Sequence, residues 1–227
     1  MPADSDGLWS RARLEAMWER YEGDDPPDSP RGKKRTRLIE AATELFLKHG
    51  YRKTSVDEIA RKAHVAKGTV YTFFDTKNDL LVAAIAAEKR VMLKILDPIL
   101  SGTLAPKKRL RFYVRVLLTA VRELPLSMRM MQGGELAAIL ADMNPEALAA
   151  QRELGLNMLG ELIEQAAPGR HSRKAIRRRA TVMQSFAMLT PWMSDAEVRQ
   201  GTPFEEYVNS FEEVLVAGLV APSTDES

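Results

Sequence analysis

The stretch TSVDEIARKAHVAKGTVYTFF, residues 54–74, contains two short helical patterns separated by a turn. Ser55 and Glu58 have the spacing of a capping box, which predicts a helix that runs to about Ala63. A second short helix is predicted to begin near Lys67. Two such helices joined by a tight turn form a helix-turn-helix unit, whose second helix enters the major groove of DNA.

The flanking sequence supplies longer helices on which this unit can pack. Before it, apolar residues recur at the spacing of one helical face, and a His-Gly pair ends the pattern. These residues are Leu38, Ala41, Ala42, Leu45 and Phe46, followed by His49 and Gly50. After the unit, Thr76 and Asp79 are expected to cap a fourth helix that ends before Pro98. No segment alternates with the period of a β-strand.

The remainder of the chain predicts longer helices separated by proline or glycine. They cover residues 107–124, 125–141, 145–167, 173–191 and 203–219. The expected fold class is therefore all-α, with a three-helix helix-turn-helix head and a larger helical body. We divide the chain into an acidic amino-terminal extension with a possible short helix, 1–30, a head, 31–80, and a body, 81–227.

Composition narrows the class of protein. The 227 residues include no cysteine, and no apolar run approaches the ~20 residues of a membrane span. The first residues lack the basic and apolar regions of a secretory signal, so we expect a cytoplasmic protein. The formal charge is only +2, yet residues 31–80 carry twelve Lys or Arg against six Asp or Glu. This local basic excess favours attraction to a polyanion such as DNA.

The predicted second helix of the unit has the side chains that a groove-facing surface needs. Gly68 allows close approach of the backbone, and Thr69 and Thr72 can reach base edges. Lys67 and Tyr71 can hold phosphates. Lys77, at the start of the next helix, is expected to attract a further phosphate together with the helix dipole.

Residues 37–81 resemble the DNA-binding domain of the TetR/AcrR-type (tetracycline-repressor-like) transcriptional regulators. The resemblance rests on the elements A-A-x-x-L-F, T-S-V-x-x-I-A and V-x-K-G-T-V-Y-x-x-F. It implies a set of DNA contacts: Thr54, Lys67, Thr69, Tyr71, Lys77, Ser55 and Thr72. It also implies a helical body that binds a small-molecule effector and forms a homodimer.

Two positions depart from the pattern of this family. His64 stands at a turn position where the family usually has glycine, so a positive φ there would strain the histidine. Ala66 stands where a serine usually caps the recognition helix, which removes a cap worth about 0.5–2 kcal/mol. Both departures concern fine DNA geometry, and neither removes the motif.

Dimerisation is expected from the last two long helices, because two symmetry-related recognition helices read a palindrome that one cannot. Their apolar stripes predict an interface of Ile176, Ala180, Met183, Ala187, Phe204, Tyr207, Val208, Phe211 and Leu215. The same stripes would equally serve the core of a single subunit.

Methionine-rich helices of the body predict an apolar effector pocket, since methionine adapts to varied shapes. The candidate pocket residues are Phe112, Arg115, Met128, Met131, Gln132, Met158, Met183 and Phe186. Methionine that simply fills the core remains the alternative interpretation. The expected effector is hydrophobic, and arginine or glutamine would orient its polar end.

These observations predict a homodimeric repressor that a small effector releases from a palindromic operator. The alternative is a DNA-binding protein of the same fold that acts without an effector or answers to a protein partner. An enzyme is not expected, because the three histidines are scattered and no nucleophile or metal-binding motif is present. For the same reason we expect no metal and no cofactor.

Overall fold

The computed structural model describes residues 25–132, 145–187 and 189–222. Predictions that fall on residues 1–24 and 133–144 lie outside the described residues. They include the short helix of the extension and the end of the helix predicted over 125–141.

Ten α-helices lie within the described residues, which contain no strand, so the all-α prediction is confirmed. They are α1 (Pro30–His49), α2 (Val56–Lys62), α3 (Lys67–Tyr71), α4 (Lys77–Ile95), α5 (Asp97–Leu100), α6 (Pro106–Glu123), α7 (Pro125–Gln132), α8 (Pro145–Ala166), α9 (Arg173–Ala187) and α10 (Phe204–Val220). A 3₁₀ turn, Thr190–Ser194, lies between α9 and α10. In the part of the chain that the structure describes, no helix is both long and apolar enough to span a membrane.

Two compact units divide the described chain. The head unit contains residues 25–93 and 123–132, and the body unit contains residues 94–122, 145–187 and 189–222. The sequence alone placed α7 with the body. The structure packs α7 against α1, and its residues Leu126 and Met130 are fully buried in the core of the head unit.

Local sequence signals determine where α1 begins and ends. The Ser29 hydroxyl accepts a hydrogen bond from the Gly32 amide, and Pro30 occupies the first helical position. At the other end Gly50 has φ 83°, a left-handed value that glycine adopts without strain, and its amide donates to the Phe46 carbonyl. The face between these caps is buried, with Leu38 and Phe46 completely enclosed.

The helix-turn-helix follows the predicted pattern closely. Ser55 and Glu58 form the full capping box of α2. His64, in the turn, has φ 57°, so this histidine adopts the left-handed conformation that was expected at a glycine position. Ala66 precedes α3 and makes no side-chain cap, again as expected. The turn and the recognition helix therefore form without two of their usual local stabilisers.

A buried carboxylate joins two helices of the head unit. Glu88, on α4, is 9% exposed. Its oxygens accept hydrogen bonds from the Leu126 amide (2.6 Å), the Ser127 amide (2.9 Å) and the Ser127 hydroxyl (2.7 Å). These amides belong to the first turn of α7, whose donors lack partners within the helix. Glu88 thus caps α7 from another helix, and the helix dipole stabilises its charge.

Two helices of the body unit, α8 and α9, pack closely against each other. A Cβ atom added to Gly160 on α8 would lie 3.2 Å from Cγ2 of Ile176 on α9, so these helices approach closely.

The pattern predicted over 173–191 does not form one helix, because α9 ends at Ala187 and a 3₁₀ turn follows. Pro191, within that turn, cannot donate the hydrogen bond that a continuing α-helix would need.

Candidate nucleic-acid interface

The recognition helix α3 has an anchored inner side and an open outer side. Val70 and Phe74 are 2% and 5% exposed, and both belong to the core of the head unit. On the outer side Lys67, Gly68 and Tyr71 are exposed, with 48% of Tyr71 accessible. The polar and small residues of α3 therefore face outward, and the apolar residues on its other side hold the helix against the core.

Lys67 is paired in the free protein. Its Nζ lies 2.8 Å from Oδ2 of Asp57 on α2, and both side chains are about half exposed. The hydrogen bond from Lys67 to Asp57, with the charge of that carboxylate, raises the pKa of the lysine. An exposed pair of this kind is weak, so a phosphate can replace the carboxylate as partner of the ammonium.

Gly68, Thr69 and Thr72 form the remaining outward surface. A Cβ atom at Gly68 would meet nothing within 4 Å, so the backbone here is open to an approaching surface. The Thr72 hydroxyl donates to the Thr69 carbonyl at 2.7 Å, and its oxygen can still accept a hydrogen bond. Thr69 is half-buried, and Thr72 is exposed.

Thr54 differs from the other predicted contacts because its side chain is only 2% exposed. The hydroxyl donates to the Gly50 carbonyl at 2.8 Å and lies 3.2 Å from the Leu45 carbonyl. Both acceptors belong to the end of α1, so Thr54 closes the turn between α1 and α2. We correct the sequence prediction accordingly and leave the Thr54 side chain out of the proposed contacts.

Ser55 is exposed, but its hydroxyl is already used within the capping box. It lies 2.7 Å from Oε2 of Glu58 and accepts the Glu58 amide at 3.2 Å. Hydrogen bonds from the Ser55 amide and hydroxyl hold the pKa of Glu58 below its usual value. The Glu58 carboxylate therefore lies beside the hydroxyl that was predicted to contact a phosphate. The main role of Ser55 is to cap α2.

Lys77 is tied to the turn between α1 and α2. Its ammonium donates to the Tyr51 carbonyl at 2.9 Å and the Thr54 carbonyl at 3.0 Å. The same nitrogen lies 4.2 Å from the centre of the Tyr51 ring, a cation–π distance. These contacts of the Lys77 ammonium serve the fold of the head unit.

Sequence reasoning missed three residues that support α3 and its unit. Arg31 and Arg35 of α1 lie over the rings of Phe73 and Phe74, and Glu88 caps α7. The only available signal for the arginines was their i, i+4 spacing at the start of α1, which alone is also typical of a solvated helix surface.

Comparison with known proteins identifies the head. Residues 38–84 match the model of the bacterial regulatory proteins of the tetR family. This match covers the helix-turn-helix together with most of α1 and the first half of α4. The matched region is therefore similar to the helix-turn-helix domain of bacterial regulatory proteins of the tetR family.

Two curated relatives show how far the sequence similarity extends. The transcriptional regulator AcuR of Cereibacter sphaeroides is 36% identical over 107 residues, which cover 41% of this chain and 49% of AcuR. The repressor KstR of Mycolicibacterium smegmatis is 35% identical over 94 residues, which cover 41% of this chain and 46% of KstR. The matches thus span about half the length of each of these relatives.

Solved structures extend the likeness in fold to most of the chain. A TetR-like regulator from Rhodococcus sp. RHA1 matches 85% of this chain and 99% of its own, with a TM-score of 0.61 and 19% identity. AibR in complex with isovaleryl coenzyme A and operator DNA gives the same score and identity, over 84% of this chain and 100% of its own. FadR from Bacillus subtilis in complex with stearoyl-CoA gives 0.57 and 20%, over 81% and 98%.

The predicted dimer stripes are largely used inside the body unit. Of the nine residues, four are buried and four are half-buried, and the Ala187 side chain lies outside the described residues. The buried residues are Ala180, Met183, Phe204 and Val208, and the half-buried ones are Ile176, Tyr207, Phe211 and Leu215. The outward positions are Val182 and Val214, at 64% and 70% exposure. The apolar face that is free to associate therefore lies beside the predicted stripe.

An open cavity of about 300 Å³ lies between α9 and α10. Its lining is apolar except for two arginines, and it consists of Arg178, Arg179, Val182, Met183, Phe186, Val214, Leu215, Gly218 and Leu219. Arg179 donates to the Leu219 carbonyl at 2.9 Å and so caps the end of α10. Of the predicted pocket residues, this cavity contains Met183 and Phe186.

The other predicted pocket residues divide between the two units. Met128 is 9% exposed in the head unit, and Met158 is 5% exposed in the body unit, where Phe112 is half-buried. The side chains of Met131 and Gln132 lie outside the described residues.

Arg115 is occupied by an ion-pair network rather than free to orient a ligand. Its guanidinium donates to Asn209 at 2.7 Å, to Glu205 at 2.9 Å and to Glu212 at 3.0 Å. Glu212 is 8% exposed and also pairs with Arg111 at 2.8 Å. A buried carboxylate needs such partners, so Arg115 joins α6 to α10. This structural role corrects our expectation of a ligand contact.

Proposed function

We propose that the chain is a homodimeric repressor that acts in the cytoplasm, and that a small hydrophobic effector releases it from a palindromic operator. The observation that carries the proposal is the two-sided recognition helix. Its inner residues are buried in the head unit, while Lys67, Gly68 and Tyr71 face outward. A short helix held in this way presents a fixed polar surface to the major groove.

In this proposal the outward residues of α3 make two kinds of contact, one with phosphates and one with bases. Lys67 and Tyr71 hold phosphates and so set the register of α3 on the duplex. Thr69 and Thr72 contact base edges, and Gly68 lets the backbone come close enough for them to do so. Lys77, at the start of α4, adds positive charge near the helix-turn-helix that attracts a phosphate, and Ser55 caps α2.

The proposed dimer follows from the size of the recognition helix and from the exposed apolar face of the body. A helix of five residues, Lys67–Tyr71, touches few base pairs, so useful specificity requires two copies on a palindrome. Val182 and Val214 are large, apolar and mostly exposed on adjacent helices. A second copy that packs its α9 and α10 on this face would remove both valines from water.

The proposed effector is an apolar molecule, such as one with an acyl or ring system. The body carries buried methionines, which adapt to apolar ligands. Two proteins of similar fold are described with stearoyl-CoA and isovaleryl coenzyme A bound. Release would follow if the effector binds a body conformation in which the recognition helices no longer match the groove. The ratio of effector affinities for the two conformations would set the loss of DNA affinity.

Selection from random DNA tests the DNA-binding part of the proposal. Incubation of the purified full chain with random duplexes, followed by sequencing of the bound fraction, should recover a palindrome. The Gly68→Glu variant is the matched control, since the site has room for the side chain but the charge opposes phosphate. Equal recovery by both proteins, or no enrichment at low ionic strength, would contradict the proposal.

A thermal-shift screen tests the effector. Acyl-CoA thioesters, free fatty acids and sterols are compared with small polar metabolites, and a ligand that raises the melting temperature is then added to the protein–operator complex. We expect an apolar ligand to stabilise the protein and to dissociate the complex. Stabilisation by polar metabolites alone would contradict an apolar pocket. No stabilisation by any class would favour the effector-independent alternative.

A further inference from the structure

The recognition helix has little stability of its own. It is five residues long, and Ala66 provides no side-chain cap at its start. Isolated helices of this length do not persist in water, because nucleation costs more than so few hydrogen bonds return. The orientation of α3 must therefore come from contacts with the rest of the head unit.

One such contact lies at the carboxyl end of α3. Arg31, at the start of α1, donates from Nη2 to the carbonyl of Thr72 at 3.1 Å. Thr72 is the residue that ends the recognition helix, where carbonyl groups lack partners within the helix and carry partial negative charge. The guanidinium carbon of Arg31 also lies 4.7 Å from the centre of the Phe73 ring. A charged hydrogen bond and a ring contact thus act on adjacent residues.

The orientation of Arg31 is itself determined by a third group. Its Nε donates to Oδ2 of Asp25 at 2.7 Å, so the planar guanidinium is held between a carboxylate and a carbonyl. Arg35, one turn further along α1, lies 5.1 Å from the centre of the Phe74 ring. Phe74 is buried in the core, whereas Phe73 packs at its edge. Two guanidinium groups of α1 therefore contact the segment that follows α3.

We propose that Arg31 is a positioning residue for base recognition: it sets the orientation of the recognition helix from its carboxyl end. The inference rests on the proposed DNA-binding function and names a residue outside the predicted contact set. Lysine cannot replace arginine here, because one ammonium does not reproduce a planar group that donates along two directions and stacks on a ring. A change in the orientation of α3 alters contacts to bases more than contacts to phosphates.

The test compares Arg31→Lys, Asp25→Asn and the control Lys34→Gln, an exposed charge on the same helix. Each full-length protein is titrated by fluorescence anisotropy with two duplexes of equal length over a series of salt concentrations. One duplex carries the palindrome recovered by selection, and the other carries the same bases in scrambled order. Urea unfolding of each variant provides the measure of stability.

Arg31→Lys is expected to lower the ratio of specific to non-specific affinity about tenfold, with the salt slope on the scrambled duplex unchanged. Asp25→Asn keeps the arginine but frees its orientation, so it should lower the same ratio by a smaller factor. Lys34→Gln should weaken binding to both duplexes equally. A purely structural role would change the urea midpoint and leave the ratio intact.

The outcomes separate this inference from the proposed function. If the wild-type protein prefers the palindrome and Arg31→Lys retains that preference, the positioning role of Arg31 is wrong and the proposed function stands. If Asp25→Asn strengthens binding to both duplexes by the same factor, the carboxylate acts only through its charge, and the inference also fails. If the wild-type protein prefers no duplex, the proposed function fails and the inference fails with it.

Discussion

The outward surfaces of the head and body units differ in chemistry. In the head unit, α3 exposes a lysine, a glycine and a tyrosine around a helix that is buried on its other side. In the body unit, α9 and α10 expose Val182 and Val214 beside an apolar cavity. A basic polar surface binds a polyanion favourably because counterions are released. An apolar surface binds another apolar surface favourably because both are removed from water. The two units are therefore suited to different partners.

The charges of the two units are also used differently. In the body, carboxylates neutralise the arginines, as Glu212 does for Arg111 and Arg115. In the head, Lys67 has a carboxylate partner at the exposed surface, where such a pair exchanges easily. The buried carboxylate of Glu212 joins two helices of the body, whereas the exposed pair of Lys67 with Asp57 leaves the lysine available to DNA.

The largest expected effect concerns the apolar face of the body. Val214→Asp should raise the dimer dissociation constant more than about a thousandfold, because each dimer would bury two unpaired carboxylates. Sedimentation equilibrium measures the dissociation constant, and operator titration should show a parallel loss of affinity. Val198→Asp introduces the same charge at another exposed valine and should leave the dimer intact. A dimer unaffected by Val214→Asp would place the interface elsewhere.

The next largest effect concerns the carboxylate inside the head unit. Glu88→Ala should lower the free energy of unfolding by about 3 kcal/mol, since it leaves the Leu126 and Ser127 amides buried without their acceptor. Urea unfolding measures this loss. Glu40→Ala removes an exposed carboxylate from α1 and should change stability by less than about 0.5 kcal/mol. Equal effects of the two changes would show that Glu88 does not hold α7.

Tyr71 tests the polar surface directly. Tyr71→Ala should weaken operator binding about tenfold, while the urea midpoint stays close to that of the wild type because the side chain is 48% exposed. Tyr71→Phe serves as the control for the hydroxyl group, and it should show most of the loss if the hydroxyl holds a phosphate. Loss of stability without loss of DNA affinity would mean that Tyr71 belongs to the core.

Lys67 and Asp57 should have opposite effects on DNA binding. Lys67→Gln should weaken binding to all duplexes by a few-fold and reduce the salt slope by about one. Asp57→Asn leaves the lysine without its carboxylate partner and should strengthen binding at low salt. Titration with a scrambled duplex at several salt concentrations measures both changes. Weaker binding after Asp57→Asn would show that the pair orients α3 instead of competing with phosphate.

The smallest effect is expected for an exposed pair of the body unit. Arg177 donates to both oxygens of Glu153, at 2.6 and 2.9 Å, and this contact holds the pKa of Glu153 below its usual value. A lowered pKa in the folded state adds stability above the unfolded pKa, and the gain is lost as pH falls through the folded pKa. Glu153→Gln should thus cost slightly more stability at pH 7 than at pH 3, as urea unfolding would measure. A larger cost at pH 3 would contradict the pair.

Much of the structure of the head could be predicted from local sequence, because the signals that begin and end its helices act over three or four residues. The capping box at Ser55, the glycine stop at Gly50 and the positive φ of His64 each depend on the chain immediately around them. Such signals can be read without knowledge of the fold. The role of Lys77 could not be read in this way, because its partners Tyr51 and Thr54 lie more than twenty residues earlier in the chain.

The body shows the same limit more strongly. Periodicity identified apolar stripes on α9 and α10, but it could not show which side of each helix faces its own core. The structure buries Met183 and Val208 and exposes Val182 and Val214, positions close to them in sequence. Arg115 likewise has a suitable character for a ligand contact, and only its distances to Glu205 and Glu212 reveal the ion-pair network.

The sequence by itself determined the helical class, the caps of the helix-turn-helix and the similarity of residues 38–84 to the tetR family, because each depends on residue type and short-range spacing. Only the tertiary structure decided that Glu88 caps α7, that Arg31 contacts the end of α3, and which valines remain open to a partner. These contacts join residues distant along the chain, and their geometry depends on how whole helices pack.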